Sequence, residues 1–167
     1  GSIEIDEFFG MVKKAAYNLS EQYEKYLAQL KKLELDNKKN SESKDLEYRL
    51  TRLFDAATHV MRKYEKSHPN EVMAFGDFLY EKDLINPAVK YYVHLTNGYE
   101  KSIEKFVEAK NKGKEIEWED LFFKGIIWLL STKGFCKEDF LKYLNRVNDE
   151  QERNKLMKLM KEEVDSV

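Results

Sequence analysis

One cysteine, two prolines and three histidines in 167 residues leave this chain poor in the groups that staple, interrupt or catalyse. A lone Cys136 excludes an internal disulfide framework and fits a reducing compartment, so a cytoplasmic location is expected. His59, His68 and His94 stand in no His-Glu-x-x-His or Glu-x-x-His spacing, so no metal site is expected. The seven glycines fall singly, with no Gly-x-Gly or Gly-Lys-Ser run to cradle a phosphate, so no nucleotide cofactor is expected either. Long apolar runs are missing too. The densest stretch, Leu121 to Leu130, is broken by Lys124 and falls far short of the roughly 20 residues that cross a bilayer. Charge of one sign is not in excess: 29 basic against 31 acidic side chains give a net charge of −2, which lacks the pull of a basic protein on nucleic acid.

What is present points to helices. Hydrophobic residues make up 42% of the chain and charged residues 36%, with little Gly or Pro to break regular structure. Gly1-Ser2 reads as the remnant of a cleaved tag, the absence of a Met before Ile3 allows a natural start upstream, and residues 3–167 are expected to form a single helical domain. From Ile5 to about Leu35 apolar residues recur at three and four, the stripe of a long first helix. The segment 36–44 has no apolar residue and is expected to be a mobile polar loop. Asp45 is the predicted N-cap of a second helix running to about Lys66, stopped by His68-Pro69.

A short third helix is expected over 70–80 and a fourth from about Pro87 to Lys112, closed by Gly113. The fifth, about 118–132, carries Trp118, Leu121, Phe122, Phe123, Ile126, Ile127, Trp128, Leu129 and Leu130 nearly all round its wheel, and only Lys124 and Ser131 mark a polar sector. A helix apolar on every side has to be enclosed, so it is expected to be buried at the centre of the fold. Gly134 ends it, and two helices, about 137–147 and 150–164, finish the chain. The fold class expected is all-α, an irregular bundle of about seven helices around that central element.

Three patterns bear on chemistry. Arg52 and His59, seven residues apart, share a helical face about 10 Å apart along the axis and opposite the apolar stripe, so both are expected to be exposed. Their Arg-x6-His spacing resembles the signature of HEPN-type helical ribonucleases. That resemblance implies metal-independent RNA cleavage, with His59 as general acid and base and Arg52 holding the phosphate, although Leu53 stands where the family places a polar residue. Arg62 with His68 has similar spacing. Leu121-Phe122-x-x-Gly125-x-x-Trp128 is similar to part of the first homology region of the B-cell-lymphoma apoptosis regulators, and Val72-x-x-x-Gly76-Asp77 is similar to their third region. This second resemblance implies a helical bundle with a buried fifth helix, but Ile127-Trp128-Leu129-Leu130 replaces the family's Asn-Trp-Gly-Arg.

Nucleic-acid binding would draw on the lysines of three regions (Lys31 to Lys44, Lys101 and Lys105, Lys155 to Lys161) and on stacking by Tyr23, Tyr26, Tyr91 or Tyr92, with acidic residues interspersed in each region. Cys136, near a predicted helix start, sits where the helix dipole could favour a thiolate, but with no His partner identifiable a merely packed or exposed thiol is expected. The reading drawn is a non-catalytic helical interaction or adaptor module for a macromolecular partner, expected to be a protein, with self-association included. The alternatives are a ribonuclease using Arg52 and His59, a nucleic-acid-binding subunit, and an apoptosis-regulator-like bundle. Aromatic residues, at 13%, exceed the needs of one core, and an exposed one would anchor a partner.

Overall fold

The computed structural model describes residues 6–7, 10–11, 14, 18, 21–22, 25, 28, 52, 54–114, 116 and 119–166. Among them every regular element is a helix and no strand occurs, so the chain is all-α as expected. Six helices have defined bounds: α1 (Pro69–Glu81), α2 (Ile85–His94), α3 (Tyr99–Asn111), α4 (Glu119–Thr132), α5 (Lys137–Leu144) and α6 (Glu150–Ser166). The chain divides into two compact units, 1–75 and 76–167, with the boundary inside α1.

In the first unit the described positions between 6 and 28 are helical and exposed, and a helical stretch covers 54–62. The predicted loop at 36–44 and the Asp45 cap lie outside the described residues. Turns at 63–67 close the 54–62 stretch, and the His68 N–H donates to the Tyr64 carbonyl at 2.7 Å just before α1. Pro69 is the first residue of α1, the position where a missing N–H costs nothing and the ring presets φ.

The second unit is built from five helices and the end of α1. Three of its helix ends share one device. At Asp83, Gly113 and Gly134 the backbone turns left-handed, with φ of 61°, 70° and 101°. The residue after each then donates back five positions: Leu84 to Leu79, Lys114 to Ala109 and Phe135 to Leu130, at 3.0 to 3.1 Å. These are Schellman closures, which satisfy the orphan carbonyls of a helix C-terminus. The stops predicted at Gly113 and Gly134 are therefore found. The third closure uses Asp83, a short polar residue that tolerates this conformation, and its carboxylate meets Lys114 Nζ at 2.6 Å.

The predicted fourth helix, 87–112, is in fact two. After His94 the chain leaves the helix at Leu95 (φ −86°, ψ 147°), turns through Thr96 and Asn97, and restarts beyond Gly98. Periodicity alone did not show this, because Val93, Leu95 and Ile103 remain apolar across the break and all three are buried. The reversal depends on a contact six residues apart: Gly98 passes so close to the Tyr92 carbonyl that a Cβ there would collide with its oxygen. Reversing here lets α2 fold back along α3, its main packing neighbour. Pro87 falls in the first turn of α2, two residues after Ile85, where its absent N–H is again unneeded.

The core of this unit is contiguous. Ala88, Val89, Tyr92 and Val93 of α2 are sealed together with Ile103 and Phe106 of α3, Phe123, Ile127 and Leu130 of α4, Phe140 and Leu144 of α5, and Leu156 and Met160 of α6. Phe106 stacks on Phe123 with ring centroids 5.1 Å apart and touches Phe122 at 6.2 Å. Asn111 fixes the far end: its amide donates to the Arg146 carbonyl at 2.8 Å and its oxygen accepts from the Asn148 N–H at 2.9 Å, tying α3 to the α5–α6 turn.

Enclosure of the helix at 118–132 holds for one side only. Trp118 lies outside the described residues, and α4 buries Phe123, Ile126, Ile127 and Leu130 while leaving Leu121 and Trp128 among the exposed large hydrophobic side chains. The helix is central to the packing of α2 and α6, but among the described residues no helix covers its opposite face.

Candidate interaction surface

That open face is the most unusual surface feature of the second unit. Turning about 100° per residue, α4 directs Leu121, Gly125, Trp128 and Thr132 into one sector, and all four are exposed. Leu121 keeps 75% of its surface in water and Trp128 52%. Between them Gly125 leaves a dip: a Cβ built there meets no heavy atom within 4 Å. Half-buried Phe122 and Leu129 border the stripe on one flank, and half-buried Lys124 and Ser131 on the other. Isolated exposed apolar residues are ordinary, but a leucine and a tryptophan aligned across a glycine dip form a patch.

The stripe is held rigidly from behind. Glu119 and Asp120 sit in the first turn of α4, where acids suit the helix dipole. Glu119 meets Lys110 of α3 at 2.6 Å, and the same ammonium reaches Glu152 of α6 at 2.9 Å. Burial would lower the Lys110 pKa, but the two carboxylates outweigh it and hold the ammonium above its ordinary value. Asp120 pairs with Lys155 of α6 at 2.9 Å. With both acids tied and four apolar side chains locked in the core, the outward side chains stand on a fixed base.

A polar cluster joins α1, α2 and α3. The Tyr92 hydroxyl donates to Asp77 Oδ1 at 2.6 Å, and Lys101 Nζ reaches the same oxygen at 2.6 Å while lying over the Tyr92 ring, 5.1 Å from its centroid. Burial alone would raise the Asp77 pKa, but the Lys101 and Tyr92 hydrogen bonds and the charges of Lys101 and Lys105 hold it below its usual value. Burial, reinforced by the Asp77 carboxylate, drives the Tyr92 phenol far above its ordinary range, so its proton stays on oxygen. Gly76 makes room for this cluster, since a Cβ there would come within 2.5 Å of the Tyr92 ring. The Gly76-Asp77 pair singled out in the sequence thus serves an internal tie. Tyr91 and Tyr92, expected as base-stacking candidates, are buried at 1% and 0% and offer no face to a ligand.

Arg52 and His59 are helical and exposed, as the wheel predicts. His68 is half-buried, its Nδ1 2.8 Å from the Ser67 hydroxyl and its ring edge-on to Tyr64 at 6.3 Å. His94 closes α2, so the three histidines occupy three separate segments, and among the described residues no three metal-ligating side chains converge. Cys136 is exposed at the start of α5, and its backbone N–H donates to Asp139 Oδ2 at 3.0 Å. The Asp139 backbone favours the thiolate, but the carboxylates of Glu138 and Asp139 outweigh it and push the thiol above its ordinary pKa. Cys136 is thus an exposed thiol, the plainer of the two readings its sequence position allows, because the first-turn carboxylates disfavour a negative charge on the sulfur.

Sequence reasoning found the residues of the exposed stripe but assigned them to the core. No protein-family model, no curated protein and no solved structure matches the chain.

Proposed function

We propose that this chain is a non-catalytic helical interaction module and that the outward face of α4 is its binding surface for a protein partner. The observation that carries this reading is the exposure of Leu121 and Trp128 on either side of Gly125. Tryptophan is the residue type most enriched among the side chains that dominate binding, because it removes a large apolar area from water with few rotors to freeze. The surrounding groups favour binding over chemistry: both acids of α4 are engaged in ion pairs, Glu119 with Lys110 and Asp120 with Lys155. A partner recognised here presents apolar side chains that fill the dip at Gly125 and cover the indole.

Affinity capture from native extract tests the reading. The immobilised 167-residue chain is expected to retain a protein that a Trp128→Lys variant of equal thermal stability fails to retain. Identical retention by both proteins, or none by either, would remove α4 as the binding surface.

A further inference from the structure

We propose that the outward face of α4 pairs with the same face of a second copy of this chain. The inference rests on the interaction reading above and names its occupant.

The exposed positions Leu121, Gly125, Trp128 and Thr132 are spaced four, three and four apart, which is symmetric about the midpoint between residues 126 and 127. Lay two copies of α4 antiparallel, face to face, with a two-fold axis through that midpoint. Gly125 of one copy then lies opposite Trp128 of the other, and Leu121 lies opposite Thr132. In each of the two kinds of opposition a large side chain meets a small one. The indole enters the dip where a Cβ of Gly125 would find no heavy atom within 4 Å, and the leucine covers the threonine. Helices pack by setting the ridges of one into the grooves of the other, and the stripe carries both a ridge and a groove at positions that a single rotation exchanges.

Charge selects the second copy over other occupants. A two-fold contact sets a charge near the axis against its own image, so the centre of a self-pairing patch is best uncharged, and these four positions carry no charge. Lys124 stands at the edge, and the two-fold shifts it from its image by about 7 Å along the helix. Asp120, at the other end of that edge, is already paired with Lys155. A polyanion or an acidic peptide would find one unpaired lysine on the patch. A membrane surface would need a wider apolar face with several basic flanks. Two large side chains per copy, bordered by Phe122 and Leu129, place the contact at the small end of specific interfaces, so association is expected to be reversible with a dissociation constant in the micromolar range.

Sedimentation equilibrium of the 167-residue chain, from micromolar to millimolar concentration, reads the proposal. The apparent mass is expected to rise towards twice the monomer mass. Leu121→Lys and Trp128→Lys are each expected to weaken association at least about tenfold, since they set like charges against each other. Gly125→Trp is expected to abolish it by filling the dip. The exchange variant carrying Gly125→Trp with Trp128→Ala puts knob and hole back in opposition under the same axis and is expected to restore the dimer. Far-UV circular dichroism and thermal melts confirm that each variant is folded, and all three substituted sites are exposed, so loss of fold is not the expected reason for lost association. A chain that stays monomeric at millimolar concentration, a dimer indifferent to the lysine substitutions, or an exchange variant no better than Gly125→Trp alone would each overturn self-pairing. A monomeric chain that nonetheless captures another protein through Trp128 would leave the interaction reading standing and remove only the second copy.

Discussion

Three glycines of the second unit show how differently one residue type is used. Gly98 has an ordinary backbone (φ −107°, ψ 0°), so torsional freedom is not its reason; the Tyr92 carbonyl lies where its Cβ would be. Gly98→Ala therefore has to move backbone, and it is expected to destabilise by about 2–4 kcal/mol in denaturant unfolding. A loss under about 0.5 kcal/mol would show that the turn yields cheaply. At Gly76 the obstacle is the Tyr92 ring, which is itself tied to Asp77. That tie has a pH signature with a definite sign. The Asp77 carboxyl is held below its ordinary value of 3.8, so the folded state binds its proton less readily than the unfolded chain does. The stabilisation is fully present above the unfolded value and is lost as pH falls through the depressed folded value, below about pH 4. Asp77→Asn is expected to flatten the acid limb of the stability curve in that window, measured by melting temperature against pH. Tyr92→Phe should keep a shallower acid limb, because Lys101 still faces the carboxylate.

At the scale of elements, the helices were legible wherever the signal was local, and illegible wherever it depended on distant residues. Pro69, Pro87, Gly113 and Gly134 each mark a boundary within a residue or two of where the structure has it. The break at 95–98 escaped notice because its cause is the approach of Gly98 to a carbonyl six residues back, which a hydrophobic wheel does not record. The two-sided nature of α4 escaped for a related reason: a wheel shows which residues are apolar, while burial depends on how many neighbours exist to cover them. Gly125 gives this point a test of opposite sign to Gly98. It sits inside a helix, exposed, with open space around a new Cβ. Gly125→Ala removes the entropic cost of glycine in a helix and is expected to stabilise the chain by about 0.5–1 kcal/mol in the same denaturant assay. A destabilising result would mean that something covers the dip in the folded chain.

For the whole molecule the question is whether its charged and catalytic-looking groups act together on RNA, as the spacing of Arg52 and His59 invites. The balance of charge argues against it. A net charge of −2 repels a polyanion at long range, and three of the lysines read as a basic supply are occupied, Lys101 by Asp77, Lys105 by Glu108 and Lys155 by Asp120, while Lys31 to Lys44 lie outside the described residues. The candidate site was legible as a spacing and no further, because a spacing fixes a shared helical face but brings no second element to enclose a phosphate. General acid and base catalysis requires the imidazole within hydrogen-bond reach of the reacting oxygen while a cation holds the phosphate. Arg52 and His59 are each helical and exposed. RNA incubated with the chain in the presence of a chelator is therefore expected to remain intact, with wild type and His59→Ala indistinguishable on a denaturing gel. Cleavage by the wild type that His59→Ala abolishes would make the chain a metal-independent ribonuclease and overturn the non-catalytic reading. Cleavage that persists in His59→Ala would point to a contaminant or another residue and leave Arg52 and His59 without that role.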